Sequence, residues 1–100
     1  MRIVAKRTLR RFWESNPDHA AARGPLLAWH AEARHAVWRT PADIKAQFRS
    51  ASILKSGRAV FNIAGNKYRL VVHVRYDLGR VYVRFVGTHR QYDKIDAETI

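Results

Sequence analysis

Arg69, Arg84, His89 and Tyr92 are the side chains of this 100-residue chain whose types and spacing suit chemistry on a phosphodiester. Cleaving RNA without a metal needs a base for the 2′-hydroxyl proton, cations for the charge that builds on the phosphorane, and an acid for the leaving 5′-oxygen. Histidine suits base or acid work near neutral pH. Arginine offers a permanent charge and paired contacts to phosphate oxygens. Tyr92 can donate or accept a proton, or stack on a splayed base. His89 and Tyr92 are three residues apart, so a single helical turn brings both to one side. Arg69 and Arg84 read equally well as groups that only position phosphate. Around them, Arg58, Asn62, Lys67, His73, Arg75, Arg80, Arg90 and Lys94 form a candidate RNA-binding set. His73 reads as a wall of the groove rather than a catalyst, and Asp93 as a surface partner for a nearby cation.

Three strand-like runs between Arg58 and His89 must place these groups. Their alternation puts Ala59, Phe61, Ile63, Tyr68, Leu70, Val72, Val74, Tyr76, Val81, Val83 and Phe85 on one face. Arg58, Asn62, Lys67, Arg69, His73, Arg75, Arg80, Tyr82 and Arg84 fall on the other. A sheet with one apolar and one cationic face is antiparallel and half covered, and the cationic face suits a polyanion. Gly65-Asn66 suits a two-residue hairpin with positive φ angles, which sets Asn62 opposite Arg69 and Arg58 opposite His73. The turn Asp77-Leu78-Gly79-Arg80 then predicts His73 opposite Arg84, Arg75 opposite Tyr82 and Arg69 opposite Thr88.

The upstream half reads as a short strand over residues 2–5 and a helix from Lys6 to Ser15 with Leu9, Phe12 and Trp13 inward. A second helix starts at Pro17 behind an Asn16 cap, is interrupted or kinked at Gly24-Pro25, and runs to about Trp38. Thr40-Pro41-Ala42-Asp43 opens a third helix ending near Arg49, and a brief strand follows around Ile53 and Leu54. After the last strand the chain reads as a polar tail. The expectation is an α+β fold, one domain over residues 1–100, with an N-terminal strand and helices packed on one face of a C-terminal antiparallel β-meander.

Composition narrows the partner. Nineteen Lys and Arg oppose 8 Asp and Glu, a formal +11, and self-repulsion of that size calls for an anionic partner. With 0 Cys there is no disulfide framework or thiolate metal site. The five histidines are scattered and acids are scarce near them, so no metal site is expected, and no glycine-rich phosphate loop or serine nucleophile with its partners is visible. No stretch is long enough to span a bilayer and no signal peptide is visible, so a cytoplasmic protein without membrane contact is expected.

Phe61–Leu70, with its Gly65-Asn66-Lys67-Tyr68-Arg69-Leu70 core, and the block Gly87-Thr88-His89 with Tyr92-Asp93-Lys94-Ile95-Asp96 resemble the HigB family of type II toxins, distant relatives of RelE. Trp38, Pro41–Lys45 and Ser50-Ala51-Ser52 resemble it too. The resemblance implies a RelE-like fold and an endoribonuclease that needs no cofactor and cuts translated mRNA in the A site of the 70S ribosome, against 16S rRNA. It also implies neutralisation by a HigA-type antitoxin with a helix-turn-helix domain. It assigns catalytic roles to Arg69, His89 and Tyr92. RelE also uses lysines upstream, for which Lys55 and Lys67 are loose counterparts. The competing reading is a non-catalytic RNA-binding or ribosome-associated protein using the same cationic face; a DNA-binding repressor subunit lacks a recognition-helix pattern.

Overall fold

The computed structural model describes residues 1–100 as an α+β fold in which helices cover one face of an open five-stranded sheet. Strand β1 (Arg2–Val4) leads into helix α1 (Lys6–Ser15), a 3₁₀ turn (Pro17–Ala22) and helix α2 (Arg23–His35). Helix α3 (Pro41–Gln47) and strand β2 (Ser52–Ile53) precede the meander β3 (Arg58–Ile63), β4 (Tyr68–Arg75) and β5 (Arg80–Thr88). A single turn, α4 (His89–Tyr92), follows. The sheet order is β1-β5-β4-β3-β2; β1 is parallel to β5 and every other pair is antiparallel.

Local chemistry explains most boundaries. Asn16 stops α1 with an extended backbone, and its Oδ1 accepts from Asp18 N at 2.9 Å, opening the 3₁₀ turn. The second helix therefore divides: Pro17–Ala22 is 3₁₀, and Gly24-Pro25 sits in the first turn of α2, where the missing N–H of proline costs nothing. Helix α2 ends at His35 rather than Trp38, because Ala36 turns extended. Asp43 Oδ2 accepts from Thr40 N at 3.1 Å and Arg39 N at 2.8 Å, which starts α3 as the Thr-Pro-Ala-Asp pattern predicts.

The core lies between these helices and the near face of the sheet. Phe61 is its centre, edge-on to Trp29 at 5.2 Å and Phe48 at 5.1 Å and stacked on Trp38 at 6.0 Å. Leu9, Trp13, Leu26, Ala33, Ile44, Leu70, Val72, Val74 and Val81 pack with it. Burial of aromatic and aliphatic side chains of this size is worth roughly 1.5–3 kcal/mol each, so the near face holds the helices without help from the cationic one.

The register corrects the alternation at one point. Arg58↔His73 and Asn62↔Arg69 pair as expected, although the positive φ angles fall on Ala64 and Gly65 rather than Gly65 and Asn66. Between β4 and β5, however, His73 lies opposite Tyr82, Arg75 opposite Arg80 and Arg69 opposite Gly87. The expected partners, Arg84, Tyr82 and Thr88, are displaced for two reasons. The turn leaves four residues, Tyr76 to Gly79, between the paired ends, and a bulge sits between Val71 and Val72. Opposite that step β5 supplies the extra residue, Arg84, between Val83 and Phe85. The bulge reverses the alternation beyond it. Val86 joins the core, and Phe85, expected there, moves to the far face beside Val60 and Val71.

The candidate nucleic-acid interface

The far face is built from cross-strand rows. Arg58, His73 and Tyr82 form one row; Val60 and Val71, with Phe85, form the next; Asn62, Arg69 and Gly87 form the third. Four residues of strand separate the outer rows, about 13 Å. The tail is not the polar extension it resembled. Ala97 is buried, and Ile95, Ile100, Tyr92 and Leu54 pack around Val60, Val71 and Phe85, so the last residues lie across the middle row. The face thus has two cationic ends divided by an apolar island under the tail.

At the first end Arg69 is 9% exposed, the one buried charged side chain in the chain. No carboxylate lies within ion-pair distance of it. Its Nη2 donates to Asn66 Oδ1 at 2.6 Å and its Nη1 to the Asn66 and Tyr68 carbonyls, both at 3.3 Å. The guanidinium carbon sits 5.9 Å from the centre of the Tyr92 ring. Tyr92 gets there because Thr88 and Gln91 close α4 reciprocally: Gln91 N donates to Thr88 Oγ1 at 3.1 Å, and Thr88 N to Gln91 Oε1 at 2.9 Å. Gly87 makes room, since a Cβ there would stand 2.5 Å from Phe85 Cζ and 2.7 Å from Gln91 Oε1. His89 N donates to Lys67 O at 3.2 Å, which ties α4 to the hairpin turn.

His89 Nδ1 lies 3.2 Å from Asp93 Oδ2. A carboxylate at that nitrogen favours the proton on Nδ1 and leaves Nε2 as the acceptor. Asp93, read in the sequence as a generic surface partner, is therefore the group placed to orient His89. Asn66 was legible only as a turn residue. The signal for both was spacing: Asn66 three residues before Arg69 across a hairpin bend, and Asp93 four residues after His89 on a helical turn.

At the second end Arg58 donates from Nε (3.1 Å) and Nη2 (2.8 Å) to the main-chain oxygen of Ile100, and Arg84 Nε reaches the same atom at 3.4 Å. His73 lies between them. Partial burial, then the charges of Arg58, Arg84 and Arg75, hold its imidazole below the usual histidine range. Gly57 packs on the ring at a φ of +74°, where a Cβ would meet Val74 O at 2.9 Å. The geometry thus groups Arg84 with Arg58 and His73 and brings Arg69 against Tyr92, while His89, on the same turn as Tyr92, has Asp93 as its side-chain partner. Arg75 is drawn away, held by Asp77 at 2.8 Å, and Arg80 Nη1 lies 3.5 Å from Tyr82 Oη. Asn62, Lys67, Arg90 and Lys94 are exposed around the Arg69 end. No three His, Cys, Asp or Glu side chains come together in a way that could hold a metal ion, and no helix is long and apolar enough to cross a membrane.

Comparison with known proteins bears on what this face is. The chain is 30% identical over 95 residues, 93% of its length and 88% of theirs, to the mRNA interferase toxin HigB of Escherichia coli K12 and to mRNA interferase HigB of Shigella flexneri. The family described as a RelE-like toxic component of a toxin-antitoxin system matches residues 22–95, which include the whole meander, α4 and both cationic ends. A sheet half covered by helices, a cationic far face and this match lead to one assignment: the chain belongs to the HigB toxin family.

Proposed function

We propose that this toxin is an endoribonuclease that cuts translated mRNA in the ribosomal A site by attack of the 2′-hydroxyl on the adjacent phosphate. One observation carries the reading: Arg69, a buried cation with no acid beside it. Burying an unpaired charge is costly. A fold that keeps one, braced by Asn66 and roofed by Tyr92, holds a preorganised positive charge of the kind a developing phosphorane needs. Asn66 accepts rather than neutralises, so the guanidinium keeps its full charge for a phosphate.

In this mechanism the scissile phosphate settles against Arg69, and Arg84, at the other end of the face, holds a neighbouring phosphate of the same RNA strand. His89, oriented by Asp93, takes the 2′-hydroxyl proton through Nε2, and Tyr92 returns a proton to the 5′-oxygen. The exchange balances: the 2′-oxygen bonds to phosphorus as the bond to the 5′-oxygen breaks. Arg58, Asn62, Lys67, His73, Arg75, Arg80, Arg90 and Lys94 supply contacts to the backbone and bases. The side chains proposed for the chemistry are cations, an imidazole and a phenol, which ask for no metal. The face is open, so the ribosome, with its 16S rRNA, supplies the positioning of the strand. The toxin assignment implies an antitoxin, which we take to be a HigA-type helix-turn-helix protein, and cytoplasmic action as a one-domain protein.

The test is primer extension on a translated message after induction, comparing the wild type with Arg69→Gln and with His89→Gln. Cleavage by the wild type, lost in both variants while circular dichroism stays native, supports the reading. Stable ribosome or RNA binding without cleavage by the wild type would replace it with the non-catalytic RNA-binding alternative.

A further inference from the structure

The two arginines of the second end converge on one oxygen that belongs to the chain itself. Arg58 gives it two N–H groups, and Arg84 approaches it from the neighbouring bulge. Two guanidiniums converging on one oxygen are an arrangement that also matches a phosphate. His73 lies between the two arginines, its imidazole held below the usual histidine range by partial burial and then by the charges of Arg58, Arg84 and Arg75. No Asp or Glu side chain lies within ion-pair distance of Arg58 or Arg84. No acidic side chain of the fold neutralises this corner.

The segment that supplies the oxygen is held lightly. The tail turns on itself through Glu98 N to Asp96 Oδ1 (3.0 Å) and Ile100 N to Asp96 O (3.1 Å). Its hold on the body is Ala97 and the flanks of Ile95 and Ile100 on a small apolar island, together with the arginine contacts. Asp93, Asp96 and Glu98 are three of the chain's 8 acidic residues, gathered in its last stretch against a body of opposite sign. The tail is acidic, short and shallowly packed, lying over a cationic site.

We propose that Arg58 and Arg84 form a phosphate-binding site which the segment Asp96–Ile100 occupies in the free protein, so that seating of the tail and binding of a phosphate group there exclude one another. The inference rests on the nuclease reading, and it adds a competitor built into the chain: the site at the Arg69 end stays preformed while the second end must be vacated. A ligand that needs the open form sees its affinity reduced by the fraction of molecules that are open. With the tail seated about nine-tenths of the time, removing it tightens binding about tenfold.

The experiment uses the full chain, labelled for NMR and titrated with a nuclease-resistant 2′-O-methyl trinucleotide and, separately, with inorganic phosphate. Binding is expected to loosen the amides of Ala97, Glu98, Thr99 and Ile100, read as a fall in their heteronuclear NOE. Loosening by both probes supports the site and assigns it to any phosphate; loosening by the trinucleotide alone supports it and assigns it to RNA. A chain ending at Ala97, which keeps the buried alanine, is expected to bind the trinucleotide about tenfold more tightly, and Arg58→Gln in that shortened chain to abolish the gain. Trinucleotide binding that leaves the tail ordered, equal affinity of the two chains, or no binding by either overturns the inference. Failure of the nuclease reading looks different, since it is absence of message cleavage by the folded protein whatever the tail does.

Discussion

The two ends of the far face hold their cations in opposite ways. Arg69 is buried, braced by an amide and two carbonyls, and covered by an aromatic ring. Arg58 and Arg84 reach out from the sheet to a single oxygen on a removable segment. One end is rigid before any ligand arrives and the other can exchange its occupant. A rigid charge serves a transition state, where reorganisation would raise the barrier, and an exchangeable one serves capture and release of a strand. The apolar island of Val60, Val71 and Phe85 separates the two behaviours by anchoring the tail between them.

The largest effect that would sharpen this division is from Arg69→Gln. Cleavage on ribosomes should fall by about 10²–10³-fold, while the midpoint of thermal unfolding holds or rises, because a buried unpaired charge is removed. Arg58→Gln should instead cost about tenfold or less in cleavage and flatten the salt dependence of RNA binding by roughly one phosphate contact. Equal losses from the two substitutions would erase the distinction between the ends. Tyr92→Phe comes next: the ring remains over Arg69, so binding should persist while single-turnover cleavage drops about 10²-fold. Asp93→Asn should act on the same step less strongly, and its signature is an altered pH profile of cleavage rather than weaker binding.

A pair of glycines tests the ends at the level of backbone. Gly57→Ala puts a Cβ at positive φ and against a fixed carbonyl, so urea unfolding should show a loss of about 1–3 kcal/mol. Gly87→Ala meets only the tips of Phe85 and Gln91, which can move. It should cost less stability but unseat α4 and so cost more activity. If Gly87→Ala instead proves the more destabilising and leaves cleavage intact, α4 is not what positions Tyr92.

The smallest effect is a pH slope. His73 titrates below the unfolded value of about 6.5. The unfolded chain therefore takes up a proton first, and stability present above about pH 6.5 is lost as pH falls through the folded value. His30, lowered by burial and by Lys6 and Arg34, adds a slope of the same sign. Asp43 and Asp77 are held below the usual carboxylate range and act only at more acidic pH. His73→Gln should weaken the slope between pH 7 and 5 in denaturant titrations without removing it. Phosphate binding beside Arg58 should raise the His73 titration, seen in its imidazole proton shifts. An unchanged His73 midpoint in saturating trinucleotide would place the bound phosphate elsewhere.

The alternation of residues 58 to 83, the caps at Asn16 and Thr40 and the inward tryptophans determined the fold class, the helix-covered face and the cationic one, because each follows from short-range periodicity and backbone chemistry. The β3–β4 register was legible for the same reason: a two-residue slip at a tight glycine turn leaves side-chain faces unchanged, but the turn length forbids it. The β4–β5 register was not. A bulge adds one residue at no visible cost to the pattern, since Phe85-Val86 offers an apolar side chain to the core in either phase. The candidate residues could be named from their chemistry, but their grouping could not. Burial of Arg69 depends on where α4 lands, and α4 lands according to a bulge, a glycine and a capping pair. Likewise Ile95, Ala97 and Ile100 look like sparse apolar residues in a polar tail until Val60 and Val71 meet across two strands to form their seat. Periodicity is local and survives in one dimension; the partner of a side chain across the sheet is set by contacts distant in sequence, and only the folded chain decides it.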